Sequence, residues 1–324
     1  MNNKILFVTQ TLGYKAACGI GLIGKLLSES LIKSKQYDFE ILFSDNESEL
    51  ESKIIETNPI AIIYNYHSIT TQWIHSTYIR DKYFNIKHIM LHHDIHQGII
   101  NNFHPSQFFG FNYIIAGDTT LTPSNNVFLV SRLIPPYRPT NYPKNEIPVI
   151  GFQGFGPRHK GIHRIAEVVQ REFEKAIIRL HIPYSIYGDP HGQEANQRVA
   201  EVRSIVTNPN ISVEASHDLL STEQILDFLA SNTIYCYFYD YLNGAGLASS
   251  PDYALAVNRP LAVTKSHQLR NFIGLSPSIC VEDNSLKDII SFGLEPTKDI
   301  RERYSEKNVI KEYESILDNL TQVR

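Results

Sequence analysis

Short apolar runs recur along the chain and constrain its fold more than any other feature. KILFVT (4–9) and PIAIIYNY (59–66) are rich in isoleucine, valine and aromatic residues and show no regular polar alternation. A strand buried on both faces reads as such a run, whereas a strand with one solvated face alternates between apolar and polar residues. Helical or loop segments separate most of the runs. The sequence therefore predicts parallel sheets covered by helices, that is, an α/β protein.

The first half of the chain fits one doubly wound domain over residues 1–134. After the first strand come a glycine-bearing loop, LGYKAACGIG, and a segment with helical spacing, LIGKLLSESLIKS. Strand, glycine loop and helix in this order open a Rossmann-like unit. The strands predicted for this half span residues 4–9, 38–44, 59–66, 87–93, 112–117 and 126–131.

A proline-rich stretch, RLIPPYRPTNYPKNEIP (132–148), interrupts this pattern and predicts a linker at 135–148. Five prolines without a hydrophobic period do not continue a strand or a helix. The pattern then restarts, which predicts a second Rossmann-like domain over 149–300 and a C-terminal helix in 301–324. The segments predicted here are strands at 149–154, 183–189, 211–216 and 233–239, and helices at 161–176, 221–232 and 301–320.

Length, charge and cysteine usage narrow the class of protein. The 324 residues suffice for two hydrophobic cores. A formal net charge of −4 and a pI near 6.4 argue against nucleic-acid partners and a broad membrane footprint, while a peripheral membrane contact stays open. Cys18, Cys236 and Cys280 are widely spaced and form no metal-type pair. We expect them to be reduced, mostly buried thiols of a cytoplasmic protein.

Two clusters in the first half carry unusual residues at predicted strand ends. Gly19 and Gly21 precede the first predicted helix, where glycines either let a ligand approach the backbone or form a tight turn. In HHDIHQG (92–98), extended alternation points His93 away from Asp94, and no further zinc ligands can be identified. We expect His93 and Asp94 to position a polar ligand; a metal site and a solvated loop are the alternatives.

Two clusters in the second half suit a phosphate. In GFGPRHKG (154–161), Arg158 and Lys160 lie on a glycine–proline loop before a helix, which offers two cations and backbone N–H groups to a diphosphate; a surface loop without a role is the alternative. In LNGAGLASSPDYALAVNRPLAVT (242–264), a glycine turn precedes a helix predicted after Pro251. Its N–H groups can face a phosphate, and the first helical turn can reach a ribose hydroxyl.

The second half resembles the donor domain of GT-B glycosyltransferases, especially the retaining family 4 group. IGFQGFGPRHKGIHRIAEVV resembles the family's strand–glycine–loop–Lys-Gly–helix segment, and SIYGDPHG resembles its strand ending in Gly-Asp. GAGL followed by ALAVNRPLAVT resembles the motifs G-[FY]-G-L and A-[LM]-A-x-G-x-P-V-V-A-[ST]. The match runs in order from residue 149 to the final helix and is less specific in the first half.

The resemblance implies two Rossmann-like domains that face each other across a cleft and use a nucleoside-diphosphate sugar as co-substrate without a bound metal. It implies catalytic positions for His93, Asp94 and Asn243. The acceptor would be a surface polysaccharide or a lipid-linked glycan, with the enzyme cytoplasmic, at the inner face of the membrane. The residues predicted to bind the donor are Gly19, Gly21, Arg158, Lys160, Gly188, Gly244, Ala245, Gly246, Leu247, Asp252 and Tyr253.

The chain departs from the family's pattern in the donor domain. Asn243 stands where the family has a glutamate before G-[FY]-G-L, and Tyr253 occupies the slot of a ribose-binding glutamate. Phe155 replaces a phosphate-binding arginine, for which Arg158 or Arg259 can substitute.

These departures bear on the mechanism and leave two rivals. Retention is favoured over inversion, because the donor's own phosphate oxygen can take the acceptor proton without a carboxylate at residue 243. Inversion would need a base from the first domain, such as Asp94 or His93. A nucleotide-sugar epimerase of the same architecture and a non-catalytic nucleotide-sugar-binding protein are the alternatives to a transferase.

Overall fold

The computed structural model forms two compact units, one of residues 1–133 with 303–324 and one of residues 134–302. The first boundary falls at the start of the proline-rich stretch, and the C-terminal helix, to which the sequence assigned no domain, packs in the first unit. The residues that the structure describes are 3–11, 19–137, 145–185, 188–244 and 246–321.

The first unit is built around one six-stranded parallel sheet. Its elements in chain order are β1 (Lys4–Thr9), α1 (Gly19–Leu31), β2 (Asp38–Phe43), α2 (Glu47–Thr57), β3 (Ala61–Tyr66), α3 (Tyr78–Lys82), β4 (Lys87–His92), α4 (Gln97–Asn101), β5 (Tyr113–Ala116), β6 (Val127–Leu129) and α11 (Glu306–Thr321). The strand order is β2-β1-β3-β4-β5-β6, and every pairing is parallel. All six predicted strands are confirmed to within two residues at each end.

Both faces of this sheet are covered, which explains why its central strands contain apolar runs without regular polar alternation. Ile5 and Phe7 of β1 pack in a core that includes residues of α1 and α11. Leu6 and Val8 face the opposite way, into a core that includes residues of α2. Successive side chains of a strand point to opposite faces, so each face needs apolar residues of its own.

Helix α11 is a structural part of the first unit. The apolar residues that it buries lie at helical spacing and are Val309, Tyr313, Ile316, Leu317 and Leu320. Polar contacts fix its position: Glu312 accepts hydrogen bonds from the backbone N–H and the hydroxyl of Ser131, the latter at 2.8 Å. The hydroxyl of Tyr37 donates to Asp318 at 2.7 Å.

The second unit repeats the architecture with five parallel strands. Its elements are β7 (Val149–Gln153), α5 (Ile162–Glu172), β8 (Ala176–His181), α6 (Gln193–Ile205), β9 (Ile211–Ser216), α7 (Thr222–Ala230), β10 (Ile234–Tyr237), α8 (Ser250–Ala256), β11 (Leu261–Val263), α9 (Leu286–Phe292) and α10 (Lys298–Arg303). The strand order is β11-β10-β7-β8-β9. Helix α7 begins with a capping box, in which Ser221 and Gln224 exchange hydrogen bonds.

Three predictions from residue 149 onward are wrong, for one strand and two helices. The strand expected at 183–189 lies earlier in the chain, at Ala176–His181, as β8. The helix expected to reach residue 176 ends at Glu172. The strand was missed because the charged Arg179 interrupts its apolar run. In the structure the Nε of Arg179 donates to Glu214 of β9 at 2.7 Å, so the guanidinium has a partner within the sheet. The single helix predicted at 301–320 is divided between α10 and α11, and the buried Tyr304 lies between the two.

No helix in the part of the chain that the structure describes is long and apolar enough to cross a membrane.

Cys236 and Cys280 are free and buried, as predicted, and burial raises the pKa of both thiols. Cys18 lies outside the described residues.

Candidate functional site

The carboxyl ends of β7 and β10 lie side by side in the second unit, because these strands pair in parallel with Ile150 opposite Ile234. Gly154 follows β7, and Tyr239 comes two residues after β10 ends. Ligands of open α/β sheets bind at this edge, just beyond the carboxyl ends of the strands. The loop over residues 154–161 and the start of α8 reach the same edge.

A short 3₁₀ turn, Arg158–Lys160, carries the two predicted cations to this edge. Gly161 ends the turn in the left-handed region, with φ of 57°, and a Cβ on it would lie 2.0 Å from the carbonyl oxygen of Phe238. Only glycine fits both the conformation and the close approach to the chain that leaves β10. Glycine at position 161 is thus required by the geometry of the turn.

The side chain of Lys160 extends from this turn over Gly154. Its Nζ lies 5.5 Å from the ring centroid of Tyr239 and 5.8 Å from that of Phe155. A Cβ on Gly154 would meet Nζ at 3.2 Å and the hydroxyl oxygen of Ser250 at 2.9 Å. Lys160 and Ser250 therefore converge above the same glycine.

Lys160 carries a charge that no carboxylate balances among the described residues. Its ammonium group contacts aromatic faces, and burial lowers the pKa of Lys160 to about 8. Desolvation of this kind disfavours the charged form, and a nearby anion would reverse the effect. The position suits an anionic ligand.

The other predicted donor-binding cations are engaged elsewhere. Arg158 is exposed, and its guanidinium lies 4.0 Å from Glu201 of α6. The Nε of Arg259 donates to the carbonyl oxygen of Ala230 at 2.8 Å, at the end of α7. Of the basic residues named from the sequence, Lys160 alone points across Gly154.

The predicted Gly-Asp pair lies in a turn after β8. Gly188 is exposed, and a Cβ on it would contact nothing within 4 Å. Asp189 accepts hydrogen bonds from the backbone N–H groups of Glu194 and Ala195, at 3.2 and 2.9 Å, and so caps α6. The aspartate of this motif has a structural role here.

The glycine turn that opens the fourth predicted cluster is exposed at its tip. Asn243 and Gly244 are exposed, with φ of 76° at Gly244, whereas Gly246 and Leu247 are buried. Ala245 lies outside the described residues. The tip therefore presents Asn243 and Gly244 at the surface of the unit.

The first turn of α8 points into the unit. Asp252 and Tyr253 are 4% and 8% exposed. Their predicted contact with a ribose stays a prediction. Ser250, by contrast, lies beside Gly154 at the strand-end edge. Sequence reasoning missed it, because a serine just before a predicted helix has no distinctive spacing.

In the first unit, a buried hydrogen-bond network joins the carboxyl ends of β1, β3 and β4. Asn65 is fully buried, and its Nδ2 lies 3.0 Å from Oγ1 of Thr9, 3.1 Å from Oε1 of Gln10 and 3.2 Å from the carbonyl oxygen of Ile20. Its Oδ1 lies 2.7 Å from Nε2 of His93. The network brings the predicted His93 next to the first turn of α1. Sequence reasoning missed Asn65, which lies in an apolar run.

The predicted glycine loop before the first helix needs a correction. Gly19 and Gly21 lie in the first turn of α1, because the helix already begins at Gly19. The close approach occurs one turn later, at Gly24, where a Cβ would lie 2.2 Å from Nδ2 of Asn65 and 2.6 Å from Oγ1 of Thr9. Gly24 lets α1 pack directly on the network. Residues 12–18 of the predicted loop lie outside the described residues.

The His-Asp segment diverges after β4. His93 contacts Asn65, whereas the ring of His92 packs beside Tyr66, with 5.7 Å between centroids. Asp94 is exposed. Burial lowers the pKa of the nearby His67, and the charge of Asp94 offsets part of this effect. Among the residues that the structure describes, no three His, Cys, Asp or Glu side chains are grouped so as to hold a metal ion.

Comparison with known proteins gives a clear result for the fold. No protein-family model matches the sequence, and no curated protein is significantly similar to it. Solved structures match over the whole length. Anabaena HepE in complex with UDP-glucose has a TM-score of 0.60 at 10% identity, covering 98% of this chain and 99% of that one.

Two further solved structures are similar to the chain over its whole length. The UDP-forming α,α-trehalose-phosphate synthase of Burkholderia xenovorans in complex with glucose-6-phosphate has a TM-score of 0.63 at 9% identity, covering 98% of this chain and 100% of that one. The N-terminal domain of Candida albicans trehalose-6-phosphate phosphatase has a TM-score of 0.58 at 12% identity, covering 100% and 98%.

The fold is GT-B. The predicted class, two Rossmann-like parallel α/β units, is confirmed. At these identities the likeness establishes the fold, while the resemblance to the family 4 group stays a prediction. The similar structures include both a synthase and a domain of a phosphatase, so the fold alone does not identify the activity, which must be argued from the site.

Proposed function

We propose that the protein is a glycosyltransferase that moves a sugar from a nucleoside-diphosphate sugar to a hydroxyl group of an acceptor. One observation carries the proposal: the ammonium of Lys160 lies over Gly154, at the strand-end edge of the second unit, without a carboxylate partner among the described residues. A diphosphate would supply the missing negative charge, with the Ser250 hydroxyl beside it as a hydrogen-bond donor.

The nature of the donor rests on this site together with the fold. The structure of HepE, which shares the fold, is described in complex with UDP-glucose and with UDP. In this chain the diphosphate would contact Lys160 and Ser250, with the exposed turn at Asn243 and Gly244 beside the transferred sugar. We propose transfer without a metal, because the cation of Lys160 can offset charge on the leaving phosphate.

We propose transfer with retention of configuration, to a surface polysaccharide or a lipid-linked glycan. In this reaction the bond between the anomeric carbon and the phosphate oxygen breaks, and the acceptor oxygen bonds to the same face of that carbon. The departing phosphate oxygen takes the acceptor's proton. This route needs no carboxylate at position 243, where the chain has an asparagine.

A second candidate, a non-catalytic nucleotide-sugar-binding protein, is favoured by one specific feature. Asn243 and Tyr253 stand where the resembling family has two glutamates. A chain that keeps the phosphate site without these carboxylates could bind a sugar nucleotide and leave it intact.

Turnover separates these functions. The purified protein is incubated with UDP-, GDP-, ADP-, CDP- and TDP-linked sugars, with and without a set of mono- and disaccharide acceptors, and products are followed by mass spectrometry. Transfer predicts release of a nucleoside diphosphate together with an acceptor one sugar heavier. Conversion of one free sugar nucleotide into its epimer would identify an epimerase. Binding without either product would favour the non-catalytic function and contradict the proposal.

A further inference from the structure

The orientation of the Asn65 side chain is fixed by its surroundings. Its amide faces three oxygen atoms, one of which is the backbone carbonyl oxygen of Ile20 at 3.2 Å. A backbone carbonyl can only accept a hydrogen bond, so the NH₂ end must face it. The oxygen end, Oδ1, consequently faces His93. This assignment depends on a main-chain atom, which cannot be flipped as an amide side chain can.

The orientation of Asn65 determines where His93 carries its proton. Nε2 of His93 lies 2.7 Å from Oδ1 of Asn65, and an amide oxygen only accepts, so Nε2 must be the protonated nitrogen. The pKa of His93 is lowered to about 3, mainly by burial and in addition by the nearby Arg132, His92 and His67. The ring is therefore neutral near pH 7, and Nδ1 has a free lone pair.

We propose that Asn65 is a positioning residue that holds His93 in the Nε2–H tautomer, so that Nδ1 accepts a hydrogen bond from a hydroxyl group of a bound sugar. His93 is partly exposed, and within the described chain no group bonds to its Nδ1. A carboxylate or phosphate oxygen at this point would meet a lone pair, whereas a hydroxyl or an amine can donate. The sugar in this role rests on the proposed function; the tautomer does not.

The first turn of α1 belongs to the same device. The carbonyl oxygen of Ile20 orients Asn65, and Gly24 allows the helix to approach Asn65 closely enough for that contact. The protonation of the His93 ring thus depends on Asn65 at the end of β3 and, through Asn65, on helix α1. A ligand hydroxyl at Nδ1 would bond to a ring held by Asn65, which is buried together with its partners Thr9 and Gln10.

Nitrogen NMR tests the tautomer directly in the full-length protein. The chain contains 13 histidines, so the protein is labelled with ¹⁵N-histidine, and the His93 signals are assigned by their loss in His93→Gln. The wild type should show a protonated Nε2 and an unprotonated Nδ1 for His93. His88 is an internal reference, because its Nε2 lies 3.1 Å from the carbonyl oxygen of Tyr83 and requires the same tautomer. A protonated Nδ1 on His93 would overturn the proposal.

Asn65→Leu removes the amide with little change in volume, and Tyr64→Phe is its matched control. Tyr64 precedes Asn65 in β3, and its hydroxyl lies 2.9 Å from Nδ1 of His88 in β4, so the control also removes a buried partner of a β4 histidine. Asn65→Leu should yield a mixture of His93 tautomers, and Tyr64→Phe should leave His93 unchanged. A single Nε2–H tautomer in both variants would contradict the role of Asn65.

Asn65→Asp tests the same link if the leucine variant does not fold. A carboxylate also accepts from Nε2–H, so the tautomer should persist while the pKa of His93 rises. A His93 that titrates as in the wild type would contradict the contact.

Turnover tests the sugar contact. Asn65→Leu should reduce it by about tenfold, and Tyr64→Phe should not. Equal turnover in the two variants would overturn the role in sugar recognition. Absence of turnover in the wild type would instead sink the proposed function and leave the NMR result to decide the tautomer.

Discussion

The Nζ of Lys160 and the Oγ of Ser250 converge on the point at the end of β7 where Gly154 has no side chain, 3.2 and 2.9 Å from the position that a Cβ would take. Gly154 also has φ of 144°, which L-residues rarely adopt. The absence of a side chain thus lets a cation and a hydroxyl approach one another above the strand. A phosphate that binds there would meet both.

Gly154→Ala should disturb this arrangement. The new methyl group would displace Lys160 and Ser250, and the strained backbone should cost about 1–3 kcal/mol of unfolding free energy. Diphosphate affinity should fall as well. Gly293→Ala is the matched control, because Gly293 also has positive φ, at 62°, but a Cβ there contacts nothing within 4 Å. Equal diphosphate affinity in the two variants would show that the space above Gly154 is not used.

Diphosphate binding should weaken as the pH rises. Burial lowers the pKa of Lys160 to about 8, and a bound anion favours the ammonium form, so binding is linked to proton uptake once free Lys160 has lost its proton. Above about pH 8 the dissociation constant should increase by about tenfold per pH unit. Calorimetric titrations across this range would measure it. A wild type as insensitive to pH as Lys160→Ala would argue against charge recognition by this residue.

Asp189→Ala should reduce stability without affecting the ligand. The carboxylate caps α6 through the N–H groups of Glu194 and Ala195, and loss of such a cap costs about 0.5–2 kcal/mol. Urea unfolding followed by circular dichroism would measure this. The affinity for a nucleoside diphosphate should be unchanged. A selective loss of affinity with no loss of stability would assign the Gly-Asp pair to the binding site.

The sequence predicted the strands of the first unit well, because the central ones, β1, β3, β4 and β5, are buried on both faces and read as apolar runs. The same rule failed for β8, where Arg179 interrupts the run and is satisfied by Glu214 on the neighbouring strand. A contact between residues so far apart in the chain leaves no local signal. The preceding amphipathic helix concealed the boundary further.

The candidate site was predictable where it depends on local backbone geometry. Gly161 follows Lys160 because a left-handed turn and a carbonyl oxygen in close contact leave no room for a side chain. Ser250 and Asn65 were missed for the opposite reason. Their importance comes from what the fold brings near them, Lys160 in one case and His93 in the other, and single polar residues in these contexts have no distinctive spacing.

A thermal-shift titration with UDP, GDP, ADP, CDP and TDP tests the central claim most directly, in the wild type, Lys160→Ala and Lys287→Ala. Lys287 is the matched control, because its Nζ lies 5.6 Å from the ring centroid of Phe173, a similar cation–π contact on α9. A diphosphate at a hundred times its dissociation constant should stabilise the wild type by about 2.7 kcal/mol.

Lys160→Ala should lose about 1.5–3 kcal/mol of binding free energy, the contribution of a charge-assisted contact, while Lys287→Ala should bind as the wild type does. The nucleoside diphosphate that gives this pattern would identify the base of the donor. Stabilisation of equal size in all three proteins would remove Lys160 from the site, and no stabilisation of the wild type by any of the five would contradict a nucleotide-sugar site in this protein.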